Sequence, residues 1–352
     1  MVADPADPDV PPKERLPRDA AGSFDLHGGT GGITAMCSCR EFLEVYKEDV
    51  TFRIRTPESI DPDRTNPNAG FVAAMTDTVG STSPAVARIL LQGCEIFEAA
   101  ALTRAVDKSA VVQTLHACKE EVVVCEKVAG RVAGRVDAIV AEVEAAGGLK
   151  RERRGRALNP FPQVPDLDSD ATSFLIHAKR GILYICRLPS LFLDIPAKDT
   201  NFDELGKTLE RVTGADAPVT KFVLNNAPGV AYLIELRNHQ EHPGVKRTVV
   251  DNFAVQPDDT ISLPMWYLFG ETPRPIGVEM RAGVQFLVQM AEAMLIHLVM
   301  HTVDKRFPYI IQEYEAPDID PKKPIKYRLS ADLSRLRIDT RESDERDGGA
   351  SQ

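Results

Sequence analysis

A mainly α protein is the fold class the sequence predicts: a C-terminal helical bundle, with a smaller N-terminal helical-hairpin domain preceded by a β-hairpin. Three observations carry this. Apolar residues recur at three- and four-residue spacing over 84–146, the period of an amphipathic helix. The same spacing returns in four segments within 168–304, divided by loops rich in Pro and Gly, which is the pattern of a bundle. Two β-prone runs, 41–46 and 50–55, flank Lys47-Glu48-Asp49, as in a hairpin.

Taken in order, residues 1–30 are rich in Pro, Asp and Gly and are expected to be disordered. The N-terminal domain then spans 31–149, its role unassigned. In its helical part Leu115, Val122, Val132, Val136, Ile139, Val140 and Val143 keep to one face, and Gly147-Gly148 supplies a C-terminal stop. Residues 150–167 read as a linker, with the basic run Lys150 to Arg156 followed by three prolines. The bundle spans 168–305, with helices expected over 169–193, 202–212, a pair within 217–241, and 275–304. A sheet larger than a hairpin inside 168–304 contradicts this reading. A C-terminal extension over 306–340 holds a short strand near 325–330, and 341–352 is charged and expected to be disordered.

The formal net charge is −10, so any contact with a polyanion must be made by a local basic patch. The N-terminus, Met-Val-Ala-Asp-Pro-Ala-Asp-Pro-Asp, lacks a basic and an apolar region, so no signal peptide and a cytoplasmic location are expected. The apolar stretch 286–303 contains Gln289, Glu292, His297 and His301. These polar groups favour a buried core or dimer helix over a membrane span. An all-round apolar helix needs cover on every side, and a homodimer interface along it is the expected source. His297 and His301 read as core histidines.

Six cysteines, Cys37, Cys39, Cys94, Cys118, Cys125 and Cys186, are sparse and read mostly as buried free thiols. Cys37-Ser38-Cys39 has the spacing of half a metal site, but no second Cys/His pair stands nearby in the sequence. Neither a metal nor a cofactor is therefore expected. There is no Gly-rich phosphate loop, Gly-x-Ser-x-Gly elbow or zinc-finger spacing.

The most informative stretch is Arg237-Asn238-His239-Gln240-Glu241-His242. Its helix is expected to start at Asn226, as cap, with Pro228 in the first turn. Val230, Leu233, Ile234 and Leu236 form an apolar face, and Arg237 falls near its middle. A guanidinium there must be paired, face a cleft or face another subunit. Pro243 should end the helix near Glu241 and free His242 to turn back toward Arg237. Such a trio suits RNA cleavage. His242 is the acid/base group, Arg237 clamps the phosphoryl oxygens, and Asn238 orients either. The competing reading is an ordinary ion pair between Arg237 and Glu241, one helical turn apart.

Arg237-Asn238-x-x-x-His242 resembles the Arg-polar-x-x-x-His motif of the HEPN superfamily. The resemblance implies an all-helical bundle and a metal-independent endoribonuclease or RNA-targeting toxin or defence effector, working as a homodimer with both motifs in one cleft. Its alternative is a non-catalytic dimerisation or ligand-sensing protein on the same bundle. Arg237, Asn238 and His242 are the implied site. Lys246, Arg247, Arg151, Arg153 and Arg154 are the candidate RNA contacts from the neighbouring basic residues.

Overall fold

The structure is a computed structural model. It describes residues 16–19, 25–149, 157–197, 200–258 and 260–332, so most of 1–30 and all of 341–352 lie outside the described residues. Leu16 to Asp19 are an exception to the disorder expected for that segment. Arg18 is buried there, and its guanidinium donates to Asp61 Oδ2 at 2.7 Å and to the Asp61 carbonyl at 3.0 Å.

Four strands form an antiparallel meander: β1 (Ala35–Cys39), β2 (Phe42–Tyr46), β3 (Thr51–Arg55) and β4 (Val72–Asp77). The expected hairpin is its β2–β3 centre. Because strand side chains alternate, the sheet has two unlike faces. Val45, Val50, Phe52 and Ile54 make an apolar cluster on one side. Cys37, Glu44 and Tyr46 lie on the other, under the helices. A short helix, α1 (Pro57–Ile60), starts the loop between β3 and β4, with Thr56 as its cap.

The helical body begins with a π-helix, Ala85–Leu91, which runs straight into α2 (Gln92–Ala99). The Gln92 N–H reaches back five residues to the Ala87 carbonyl, the widened spacing that defines a π turn. The body continues through α3 (Lys108–Ala145), α4 (Leu167–Phe192), α5 (Phe202–Thr213), α6 (Pro218–Glu241) and α7 (Ile276–Thr302). Asp107 caps α3 by accepting from Ser109 and Ala110 N–H, and Asn201 caps α5. α3, α4 and α7 pack on one another. One buried cluster runs from Cys37 to Val303, through residues on both sides of the 150–167 segment. Cys118 and Cys125 lie in the α3–α4 seam, against the Gly181 and Phe174 carbonyls.

The expected mainly α class is not what forms. Among the described residues helix accounts for 51% and strand for 16%, and they contain four small antiparallel sheets. One of them has three strands, β5 (Thr248–Asp251), β8 (Met265–Leu268) and β9 (Arg274–Pro275), between α6 and α7. A sheet of that size inside 168–304 contradicts an all-helical bundle. Its strands are too short to show a period above the Pro- and Gly-rich background, and long-range packing selects them. Trp266 on β8 is 2% exposed and stands edge-on to Phe174 of α4, ring centroids 5.8 Å apart. β6 (Ala254–Val255) and β7 (Ile261–Ser262) form a ribbon beside it. The expected strand near 325–330 is β11 (Tyr327–Ala331), paired with β10 (Tyr309–Glu313).

α7 is long and apolar enough to cross a membrane by length and composition alone, but 56% of its most apolar window is buried inside the protein. The π-helix, α2, α3, α4 and α6 of the same chain provide that cover. A second copy is therefore not required to shield it, which removes that argument for a dimer. His297 of α7 packs on the Phe222 ring, centroids 5.0 Å apart. Burial lowers its pKa below the ordinary 6.5. The unfolded chain then takes up a proton that the fold resists, so stability should fall as pH drops below about 6.5 and level off beneath the folded-state pKa. His297→Leu is expected to flatten this part of the profile of Tm against pH. An unchanged slope in the variant contradicts the assignment.

Candidate functional site

The C-terminal end of α6 forms as its proline dictates. The last helical bond runs from His242 N–H to the Asn238 carbonyl at 2.9 Å, and His242 leaves the helix at φ −125°, ψ 69°. The start does not follow expectation. α6 begins at Pro218, so Asn226 is an interior residue whose Nδ2 donates to the Phe222 carbonyl at 2.8 Å, and Pro228 lies inside the helix. One missing N–H in the middle is tolerated because Val223, Ala227 and Val230 are buried on both sides of it.

Arg237 borders a groove of about 520 Å³ between α4 and α6, lined by Ile176, Lys179, Arg180, Leu183, Thr200 and Glu241. Its side chain is 23% exposed. One terminal nitrogen is held by Glu241 Oε1, and the other donates to Asn238 Oδ1 at 3.3 Å. Arg237 Nε is buried and makes no hydrogen bond. Lys179 Nζ reaches the same Asn238 oxygen at 3.5 Å. Arg237 and Asn238 touch as consecutive residues of the last turns of α6. The helix break does not bring His242 onto Arg237. The His242 side chain is 82% exposed, and its Nε2 lies 3.8 Å from Glu241 Oε2. A carboxylate therefore stands between the cation and the imidazole, where the cleavage reading places a phosphoryl group.

The remaining predicted contacts scatter. Lys246 and Arg247 are exposed beyond the turn, and the Arg247 guanidinium lies 4.9 Å from the Phe269 ring centroid. Neither lines the groove. Arg151, Arg153 and Arg154 lie outside the described residues. Lys179 and Arg180 of α4, which do line it, were not singled out from the sequence. They are adjacent on a helix whose other residues are ordinary, and only the packing of α4 beside α6 gives them meaning.

No family model, curated protein or solved structure matches the chain. The functional argument therefore rests on these side chains.

A second cluster, of which the sequence offered only Cys37-Ser38-Cys39, lies where β1 and β2 meet α2 and α3. Cys37 Sγ is 3.7 Å from Cys94 Sγ, and Cys39 stands two residues along the same face of β1. Interaction with Cys39 and then with Cys94 draws the Cys37 thiol down in pKa, while the same interactions, with burial, push Cys39 and Cys94 up. Beside them Glu44 is fully buried. It accepts from His116 Nε2 at 2.8 Å, Arg53 Nε at 3.0 Å, Lys119 Nζ at 3.0 Å and the Tyr46 hydroxyl. Burial pushes the Glu44 pKa up, but the His116 hydrogen bond and the Lys119 charge outweigh it and hold the carboxyl well below its usual range.

A third polar group ties the π-helix to α7. Arg88 Nε donates to Glu292 Oε1 at 3.0 Å, and its terminal nitrogen pairs with Oε2. Gln92 Nε2 donates to the same Oε1 at 2.7 Å. This group forms one wall of a hollow of about 440 Å³ that also meets Asn226, His297 and Lys326. Glu292 is saturated by its partners, which makes it a structural tie.

Proposed function

We propose that the chain binds RNA through the α4–α6 groove, and that as a single chain it does not cleave what it binds. Lys179, Arg180 and Arg237 supply the phosphate contacts, and Asn238 positions the Arg237 fork. One observation supports this above all: Glu241 holds Arg237 and stands beside His242, so a carboxylate already neutralises the would-be catalytic cation. The groove is a local basic patch on an acidic molecule, the only form of polyanion contact that a net charge of −10 favours. The resemblance of Arg237-Asn238-x-x-x-His242 to the HEPN motif points the same way.

A second reading is the metal-independent endoribonuclease, an RNA-targeting toxin or defence effector assembled from two copies. Its support is the Arg237 Nε, buried and unpartnered, with the His242 side chain free of the helix. In that reading a second copy draws Glu241 away, and phosphate takes its place.

Labelled RNA incubated with the protein in chelator separates the two. Binding without cleavage, weakening as salt rises, is the expected result. Arg237→Ala should weaken binding about tenfold, the scale of one charge-assisted hydrogen-bonding group, and Glu241→Gln should strengthen it. Cleavage that leaves 2′,3′-cyclic phosphate ends and disappears in His242→Ala overturns the first reading in favour of the second. No binding at low salt overturns both.

A further inference from the structure

We propose that Cys37, Cys39 and Cys94, with His116, form a binding site for a zinc-class dication. The four residues come from three elements, β1, α2 and α3, and are separated in sequence by up to 79 positions (116 − 37). Their convergence is a product of the fold.

The spacing fits the chemistry. Zinc–sulfur bonds of about 2.3 Å in a tetrahedron place the sulfurs about 3.8 Å apart. Cys37 Sγ and Cys94 Sγ are 3.7 Å apart, and Cys39 follows Cys37 by two residues on the same face of β1. A ring nitrogen of His116 and a carboxylate oxygen of Glu44 both lie within 4.8 Å of Cys39 Sγ. Cys37 and Cys39 are 5% and 4% exposed, while Cys94 is half-buried and gives the cluster an outlet.

The surroundings resemble those of a metal site more than those of packed thiols. A histidine that binds metal through one ring nitrogen commonly donates the other to a carboxylate. His116 Nε2 is bonded to Glu44 Oε1 at 2.8 Å, which leaves the Nδ1 lone pair for a metal. Glu44 is fixed in turn by Arg53, Lys119 and Tyr46, so it acts as an outer support. The turn after Cys39 carries Arg40 at φ 24°, outside the range that non-glycine residues usually adopt. The opposite face of the same sheet shows what plain packing looks like there: Val45, Val50, Phe52 and Ile54.

Soft thiolates and an imidazole select zinc over magnesium or calcium. The metal takes all three sulfurs as thiolates, and the protons they still carry pass to solvent. The resulting cluster, a dication with three thiolates and a neutral imidazole, carries one negative charge. Lys119, which also pairs with Glu44, lies near enough to Cys39 to moderate it.

The test uses the full chain, reduced and stripped of metal, then titrated with cobalt(II) and with zinc against a competing chromophoric chelator. Cobalt should give sulfur-to-metal charge-transfer absorption and strong tetrahedral bands at about one metal per chain, bleached by zinc. Cys37→Ser and Cys94→Ser should each weaken zinc binding at least about a hundredfold, beyond the 10- to 100-fold of losing an outer-shell partner. Cys118→Ser, in the α3–α4 seam, should leave binding unchanged. Should the serine variants fail to fold, the wild-type cobalt spectrum still decides. No charge-transfer band in the wild type overturns the proposal, as does a band that survives loss of both Cys37 and Cys94. A reduced chain that takes up no cobalt, but forms a Cys37–Cys94 disulfide in air, also overturns it.

Discussion

Glu292→Ala is expected to lower stability by about 3–5 kcal/mol, the usual cost of removing one partner from a buried ion pair. Glu292 is 5% exposed. It is gripped by both ends of the Arg88 fork and by the Gln92 amide. The other end of that amide, Gln92 Oε1, accepts from the Lys326 and Tyr327 backbone N–H groups at 2.6 and 2.7 Å. Losing the carboxylate leaves a guanidinium 15% exposed with no counter-charge. It also loosens the hold of α2 on β11. Glu292→Gln should cost less, because it keeps an acceptor for Gln92. An Arg88→Met, Glu292→Leu pair should recover most of the loss, since apolar side chains of similar size need no partner. Urea unfolding of the four proteins reads the effect. A change below about 1 kcal/mol in Glu292→Ala means that the pair is not a structural tie.

Phe174→Ala should cost a similar amount, about 3–5 kcal/mol for a large side chain deleted from a close-packed core. Phe174 is completely buried. Its ring stands edge-on to Trp266 and lies over Gly283 of α7, where a Cβ would approach Phe174 Cζ to 3.0 Å. Its carbonyl receives the Cys125 thiol from α3. Four elements thus meet at one residue. Trp266 is the sole tryptophan, so its fluorescence reports on the three-stranded sheet while far-UV circular dichroism reports on the helices. In the wild type and in Phe174→Ala the two transitions should coincide, because sheet and helices share one core. Separate midpoints would show that the sheet unfolds on its own.

The helices were legible from residue type and spacing alone. Expected spans of 169–193, 202–212 and 275–304 became Leu167–Phe192, Phe202–Thr213 and Ile276–Thr302. Each has an apolar period long enough to stand above noise. Pro243 correctly marked the end of α6, and Gly147-Gly148 the end of α3. Pro228 misled, because a proline in a helix interior is a local cost that buried neighbours can outweigh. The sheets among 248–275 were not legible. Strands of two to four residues carry no usable period, and their partners lie on the far side of a loop.

The chemistry divides in the same way. The sequence established that Arg237 sits on an apolar helix face near a forced helix end, since both facts depend only on residues within two turns of it. It also held both answers for Arg237, a phosphate clamp or a partner of Glu241. Choosing between them needed side-chain positions, and these place Glu241 on Arg237 with His242 turned to solvent. Cys37-Ser38-Cys39 looked like half a site with nothing to complete it. Folding brought Cys94 and His116 to it from distant helices, because β1 packs its polar face under α2 and α3. Local geometry is written in neighbouring residues, whereas a site assembled across elements exists only once the core has closed.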